Sequence, residues 1–499
     1  MDHLTLFLLF SSLLTIGYAI LIFSGRRNSR LPPGPFPLPI IGNLLHLGAN
    51  PHRSIAMLSK RYGPLMSLKL GSRTTIVVSS PGVAKEVFQK HDQSFSSHSV
   101  PEAARTADDH KFSILWLPAE NQWRMLRRIS KEHMFSVQRL DASEYIRQNK
   151  VEDLLNHVDR CATNKKAVHI SEIAFTTILN VLSNFMFSMD LAEYDSSSST
   201  EFKDAVWGLM EVVGKPNIVD FLPVLKPFDP QGLIRQGNIY AMKILTILDN
   251  IIDQRSRTRS STSSPTPTNN DMLDSLLDLS LDEPEFSLED MRHLFYTLFV
   301  AGTDTTSITL EWAMAELIHN PEKLDTARSE VIKYMKNDKK RIQEKDISQL
   351  PYLQAVIKET LRLHPAGAFL VPRQAIHDVE IQGFMVPKNA QIFCNVWAMG
   401  RDPKLWSHPE SFMPERFLEV DIDYKGQDFE LIPFGAGRRI CPGLNMAQRM
   451  LHVMLGSLIH KFDWKLEGNM KPQDMNMSEK FGLSLPRNAP LKAIPLSLE

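Results

Sequence analysis

Leu4 to Phe23 reads LTLFLLFSSLLTIGYAILIF, twenty positions without a charge. At 1.5 Å per residue, a helix of that length matches the roughly 30 Å hydrocarbon core of a bilayer. Only Asp2 and His3 follow the initiator Met1, whereas Arg26, Arg27 and Arg30 follow the apolar run. The pattern predicts one transmembrane helix over an anchor region 1–30, with the basic flank and the body of the chain on the cytosolic side. A cleaved secretory signal is the competing reading, but it calls for a basic start, a shorter apolar run and a small-residue cleavage site. Leu31-Pro-Pro-Gly-Pro-Phe-Pro-Leu-Pro39 comes next, with five prolines that fix φ and remove backbone donors. A stiff extended hinge over 31–39 is expected.

From residue 40 the pattern becomes that of one folded body extending to residue 499. Apolar residues recur at helical spacing from Glu201 to Val213 and from Asp346 to His364, while strand-like runs are few and short, as at Thr74 to Val78. The body reads as mainly α. Ser287-Leu-Glu-Asp290 is a capping-box start, and the chain then stays compatible with a helix until Asn320-Pro321, about 32 residues or roughly 48 Å. Arg255 to Asn270 is almost devoid of apolar residues and is expected to be a mobile surface loop. No fixed-period repeat points to a solenoid or propeller.

Composition narrows the function. With 56 Lys plus Arg against 57 Asp plus Glu in 499 residues, the chain lacks the basic excess of a nucleic-acid binder. Its three cysteines, Cys161, Cys394 and Cys441, lie far apart and form no C-x-x-C pair, which argues against a disulfide scaffold or a cysteine-rich zinc site. Cys441 has the informative surroundings. In Phe434-Gly-Ala-Gly-Arg-Arg-Ile-Cys-Pro-Gly443 it ends a glycine-rich loop, with Pro442 placed for a first helical position and an apolar-periodic run from Leu444 to Ile459 behind it. N–H groups at a helix start favour thiolate. Gly435 and Gly437 let backbone approach a flat ligand, Arg439 can pair with a carboxylate, and Phe434 can shield the sulfur. A cysteine-ligated planar cofactor is the economical reading.

The segment F-x-x-G-x-R-x-C-x-G, matched at Phe434, Gly437, Arg439, Cys441 and Gly443, resembles the haem-binding signature of cytochrome P-450 monooxygenases. The resemblance implies a large helical body around a long central helix with small β-sheets, and haem b with Cys441 as the axial ligand of its iron. Ala301-Gly-Thr-Asp-Thr305 lies within the long predicted helix. Taken alone, Thr305 would be expected simply to back-bond to a carbonyl; by resemblance, Asp304 and Thr305 are the catalytic pair that handles O₂ and its protons. Trp123, Arg127, Arg373 and Arg439 become partners of the haem propionates. Glu359, Arg362 and Arg416 become a buried structural ion network.

The resemblance also implies NADPH-cytochrome P-450 reductase as electron donor, with Arg128, Lys131, Arg438 and Arg449 as candidate docking charges, and the endoplasmic reticulum membrane as location. It is narrowest to plant microsomal enzymes such as geraniol hydroxylases and ferruginol synthases, on segments such as Asn43-Leu-Leu-His-Leu-Gly-Ala-Asn-Pro51. His98 departs from the arginine usual among relatives. A hydrophobic substrate, a terpenoid by resemblance, is expected in a pocket lined from 100–117, 209–222, 294–301, 366–371 and 481–483. Phe295, Phe299, Phe369 and Phe481 could supply bulk there or pack in the core. Two other readings stay open: a haem-thiolate isomerase or dehydratase working without O₂ or reductase, and a haem sensor or carrier without turnover.

Overall fold

The computed structural model describes residues 30–194, 200–261, 271–335 and 341–498, together with Ser12. The apolar run from Leu4 to Phe23 lies outside the described residues apart from Ser12. The described chain is mainly α. The helices that build the site are α1 (Asn121–Ile129), α2 (Ile170–Phe187), α3 (Thr200–Gly214), α4 (Leu233–Ser261), α5 (Leu288–His319), α6 (Pro351–Leu363) and α7 (Leu444–Lys461). The strands beside them are β1 (Leu65–Leu70), β2 (Arg73–Val78), β3 (Ser97–His98), β4 (Arg373–Gln374) and β5 (Gln391–Cys394), forming one sheet in the order β1-β2-β5-β4-β3. All neighbours pair antiparallel except β2 and β5.

Helix α5 is the axis of the body. The Ser287 hydroxyl accepts from the Asp290 N–H while the Asp290 carboxylate accepts from the Ser287 N–H, closing the anticipated capping box, and the helix runs for 32 residues. It packs along α2 and also touches α4, α6 and α7. Among the described residues α2 is the one helix apolar and long enough to cross a membrane, but 89% of its length is buried. It is apolar because α5 covers it: Gly302 of α5 has no side chain, and a Cβ there would stand 3.1 Å from Leu182 Cδ1 of α2.

Three sequence expectations need correction. The proline segment is extended but not free, because the Ser67 hydroxyl donates to Pro32 O at 2.6 Å, Ser67 N–H donates to Pro33 O at 2.8 Å and Asn43 Nδ2 donates to Phe36 O at 3.1 Å. It is strapped against β1 from Pro32 onward. The loop expected from Arg255 is helical to Ser261, since α4 continues through it. Arg255 bonds to Asp271 at 2.8 and 2.9 Å, and Arg259, one turn later, reaches Asp274 at 3.3 Å and also Asp278. Acids across the gap thus extend a helix that its own apolar content does not predict; 262–270 lie outside the described residues. The helix expected from Asp346 to His364 is interrupted at Leu350, where a 3₁₀ segment (Glu344–Gln349) gives way to α6 beginning at Pro351.

The ion network anticipated around α6 is present. Glu359 and Arg362 are fully buried and doubly hydrogen-bonded at 2.6 and 2.7 Å, and Arg416 Nε lies 3.1 and 3.2 Å from the Glu359 oxygens. Arg362 further donates to the carbonyls of Gly400, Pro409 and Ser411, and Met413 N–H donates to Glu359 at 2.7 Å. The network pins the segment 400–416 to α6. Replacing Glu359→Gln leaves two buried guanidiniums without their acid, and a loss of about 3–5 kcal/mol in unfolding free energy is expected from denaturant titration, with cofactor content falling in parallel.

Candidate active site

The loop before α7 is shaped by its glycines and by one cysteine. Gly435 and Gly437 have φ of +74° and +67°, and a Cβ on Gly437 would stand 2.4 Å from Phe88 O. Only glycine fits there. The Cys441 N–H donates to Phe434 O at 3.0 Å, and its sulfur accepts from the backbone N–H groups of Gly443 and Leu444. Pro442 was placed at the first helical position, yet α7 starts at Leu444 with Gly443 as its cap. Pro442 and Gly443 instead make the turn that offers the sulfur its donors. The residual surface of Cys441 opens on an internal cavity.

Burial pushes the Cys441 thiol up, and the two N–H donors and the Arg127 charge only partly oppose it. The N–H groups act in the expected direction, favouring thiolate, but burial outweighs them. A cation facing the sulfur is what would hold it ionised.

The same cavity is bordered by Arg127, Arg373 and Arg439. Arg439 donates to Ser96 O at 2.7 Å, Ile114 O at 3.1 Å and Leu117 O; Arg373 donates to Phe95 O at 3.2 Å and Ala436 O at 3.1 Å; Arg127 donates to Ile440 O at 2.6 Å. Their hydrogen-bond partners are carbonyls, and the nearest acid, Asp92, stands 4.0 Å from Arg373. Burial lowers all three, Arg373 to about 10 and Arg439 to about 9. Arg373 is buried and Arg127 and Arg439 are half-buried; so much desolvated positive charge without a carboxylate at contact is costly unless an anionic group shares the cavity. Haem b, a flat apolar ring with two carboxylates and an iron for the cysteine sulfur, fits these residues.

Trp123 lines this cavity but its indole N–H donates to Ile114 O at 3.0 Å, with the Arg439 guanidinium 4.4 Å from the ring centre. It orders the arginine by stacking, and the indole N–H that the resemblance assigns to a propionate is donated to a carbonyl. His98 belongs to the same cluster, which its sequence context does not signal. It pairs directly opposite Arg373 across β3 and β4, lines the cavity, and bonds through Nδ1 to Leu115 O at 2.6 Å. Burial, then Arg373 and Arg439, hold it well below the usual histidine range, so it is a neutral polar group among cations. Strand register carries this information, and a single sequence does not show which strands pair.

On the α5 side, Ala301, Gly302 and Thr305 line the cavity. The helix runs through this stretch without interruption, and the Thr305 hydroxyl donates to Ala301 O at 2.8 Å. That is the back-bond the isolated segment suggests; it commits the hydroxyl proton and leaves both lone pairs of the oxygen as acceptors. Asp304 stands behind the wall. Its Oδ2 accepts from the Ser484 hydroxyl at 2.7 Å, and Ser484 lines the cavity. Burial pushes the Asp304 carboxyl up to about 6, partly opposed by the Ser484 hydrogen bond. Ser484 lies in a segment anchored on both faces: Leu485 N–H donates to Ala366 O at 2.8 Å and Trp312 donates to Leu485 O at 2.9 Å.

The cavity has a volume of about 350 Å³ and its wall is mostly apolar. Phe295 and Phe299 do not supply its bulk, because they pack against Phe187 with ring centres 5.0 and 5.7 Å away; Phe369 stacks on Phe393 at 4.8 Å and Phe481 on His52 at 5.6 Å. Trp116, Phe135 and Tyr296 line it instead. The candidate docking charges are largely committed: Arg128 pairs with Glu283, Arg438 with Asp92, and Arg449 with Asp141 and Glu344. Cys161 and Cys394 are buried and away from this loop, Cys161 with its sulfur 3.7 Å from His157 Nε2, and no cluster of metal-ligating side chains occurs among the described residues.

A lone cysteine sulfur collared by N–H donors, beside buried arginines that await carboxylates and beneath a helix carrying an acid and an alcohol, defines a haem-thiolate enzyme. The "Cytochrome P450" family profile matches residues 32–491, and the chain belongs to that family: it is a cytochrome P450 monooxygenase with haem as cofactor. Similar proteins include "Cytochrome P450 76T24" of Catharanthus roseus, 54% identical over 97% of both chains. "Geraniol 8-hydroxylase" of Swertia mussotii is 48% identical over 100% of this chain and 99% of its own. "Ferruginol synthase" of Isodon rubescens is 47% identical over 98% and 99%.

Gly437→Ala tests the loop. Its Cβ has no room and its φ is wrong for alanine, so the variant should express yet show most of its thiolate-type Soret absorbance lost in the carbon-monoxide-treated ferrous protein.

Proposed function

We propose that this chain is a membrane-anchored monooxygenase that inserts one oxygen atom of O₂ into a hydrophobic terpenoid, with electrons from NADPH delivered by the membrane-bound reductase. The observation that carries the reading is that one apolar cavity is shared by Cys441, the arginine cluster and Thr305, with Asp304 held by Ser484 at its edge. Haem, when bound, supplies O₂ activation for attack on an unactivated C–H bond. Cys441 would be its iron ligand, with Arg127, Arg373 and Arg439 facing the propionates and Phe434, Gly437 and Gly443 forming the cradle. Names of relatives that act on geraniol or make ferruginol support the terpenoid class. The anchor over 1–30 and the strapped segment 31–39 would hold the body at the cytosolic face of the endoplasmic reticulum, with substrate entering from the lipid.

The protein's own part in the chemistry is proton supply and water exclusion. A carboxyl near 6 can both hold and release a proton close to neutral pH. Thr305, with its hydroxyl oxygen at the cavity, is placed to accept that proton and hand on its own in exchange for the bond to Ala301 O. An isomerase or dehydratase that dispenses with O₂ has no use for this acid and alcohol.

Two outcomes are expected. Cys441→Ser abolishes the thiolate Soret band and NADPH-dependent product formation; pigment and turnover that survive it sink the assignment. For Asp304, the donor form disappears as pH rises through about 6, so the proton-limited rate falls across that window. Ser484→Ala removes the bond that favours the charged carboxylate and moves the falling limb to higher pH, whereas Asp304→Asn flattens the limb and slows oxidation by about 10²-fold. The check is a pH profile of product formed per NADPH consumed.

A further inference from the structure

A second polar cluster lies outside the cavity, at the stem of the hairpin whose tip carries Leu483 and Ser484. Glu479 pairs with Arg487 across that stem, and Lys480 N–H donates to Pro486 O at 2.9 Å. Glu479 is buried, and its two carboxylate oxygens meet donors from separate elements. Oε1 accepts from Trp397 Nε1 at 2.8 Å and from Arg401 Nη2 at 3.4 Å, while Oε2 accepts from Arg53 Nη2 at 2.8 Å and stands 3.1 Å from His52 Nε2. His364, at the end of α6, brings Nδ1 to 3.8 Å from Oε1 and meets Glu316 of α5 through Nε2 at 2.6 Å. Burial raises the Glu479 carboxyl, but the surrounding histidines, Arg401 and Trp397 outweigh it and hold the group well below the ordinary carboxylate range. One buried anion is thus shared by the helix Pro51–Tyr62, the segment 397–401 and the end of α6. The proton path described above does not use it.

The tip of the hairpin has little room to shift. A Cβ on Gly214, at the end of α3, would stand 2.6 Å from Leu483 N, and one on Gly367 would stand 3.5 Å from Leu483 O. Phe481 stacks on His52 at 5.6 Å, so the histidine beside the stem also touches the tip. Leu483 and Ser484 line the cavity, and the Ser484 hydroxyl donates to Asp304 at 2.7 Å. Such a bond is lost if its donor withdraws by about an ångström. We infer that Glu479 is a positioning residue: the donors it gathers fix the hairpin stem, and through the stem they fix both the Leu483 wall of the cavity and the hydrogen bond from Ser484 to Asp304. Glu479 itself does not line the cavity. Burial and the Ser484 bond together set where Asp304 titrates. A hairpin that withdraws Ser484 removes the bond that favours the charged carboxylate, so the donor form persists to higher pH. This inference rests on the monooxygenase reading and adds a residue remote from the cavity that tunes its proton supply.

The test uses the haem-loaded full chain with reductase and NADPH, geraniol as the probe, and the thiolate Soret band to count loaded protein in every variant. Glu479→Gln should move the falling limb of the pH profile of product per NADPH to higher pH, in the direction of Ser484→Ala. The double variant should move it no further than Ser484→Ala alone, because both changes act on one hydrogen bond. Amide hydrogen exchange in 480–487 should quicken at least about tenfold in Glu479→Gln, and the oxidised positions on geraniol should spread. A merely structural Glu479 lowers the amount of loaded protein and leaves the limb of what loads in place. A limb that stays, moves to lower pH, or adds its shift to that of Ser484→Ala therefore overturns the inference. Glu479→Gln leaves the buried Arg401 without its acid; if that variant does not load haem, the same comparison in Arg53→Gln, at a half-exposed donor, decides. Absence of the Soret band or of any oxidation in the natural protein overturns the monooxygenase reading and the inference with it, whereas both present with an unmoved limb overturns the inference alone.

Discussion

The site depends on keeping charge buried that water would otherwise hold. Cys441 sits where desolvation opposes its ionised form, and Arg127, Arg373 and Arg439 sit where desolvation opposes theirs. Backbone groups offset part of this cost on both sides, N–H donors around the sulfur and carbonyls around the guanidiniums. A ligand that is cationic at its centre and anionic at its edge completes the balance, which is why these residues belong to one haem site and not to two unrelated structural features.

That arrangement requires a rigid frame. The Glu359–Arg362–Arg416 network fixes the chain leading toward the cysteine loop, and the sheet sets His98 against Arg373 in register. Packing of α2 along α5 at Gly302 places the oxygen-side residues above the same cavity. The segment through Ser484 ties the acid on α5 to a stretch that also contributes to the substrate wall. A change at Leu483 or Ser484 therefore touches both the cavity wall and the hydrogen bond to Asp304, a coupling that no single element contains.

Much of this was readable from one-dimensional patterns. The capping box at Ser287 and the absence of a breaker before Asn320-Pro321 located α5 to the residue, and the spacing within Phe434 to Gly443 singled out Cys441 from three cysteines. Local rules worked there because the information is local: caps, turns and glycine-dependent close approach all act within a few residues. They failed where partners are distant. Arg255 and Arg259 extend a helix because acids beyond the gap receive them, and Pro351 starts a new helix because the preceding turn closes early. Of the two readings left open for Phe295, Phe299, Phe369 and Phe481, pocket lining or core packing, the structure shows the second, since an apolar ring carries no signal of which neighbour will cover it.

What the amino-acid order determined alone is therefore the class of chemistry: a single cysteine in a glycine-rich turn, a long capped helix with an acid and an alcohol at its middle, and paired charges on α6. Tertiary structure decided which partner each polar group finds. Trp123 commits its N–H to Ile114, Asp304 accepts from Ser484, and His98 becomes a neutral member of the arginine cluster. Hydrogen-bond satisfaction is a property of three-dimensional neighbours, so the state of these groups emerges only once the chain has folded.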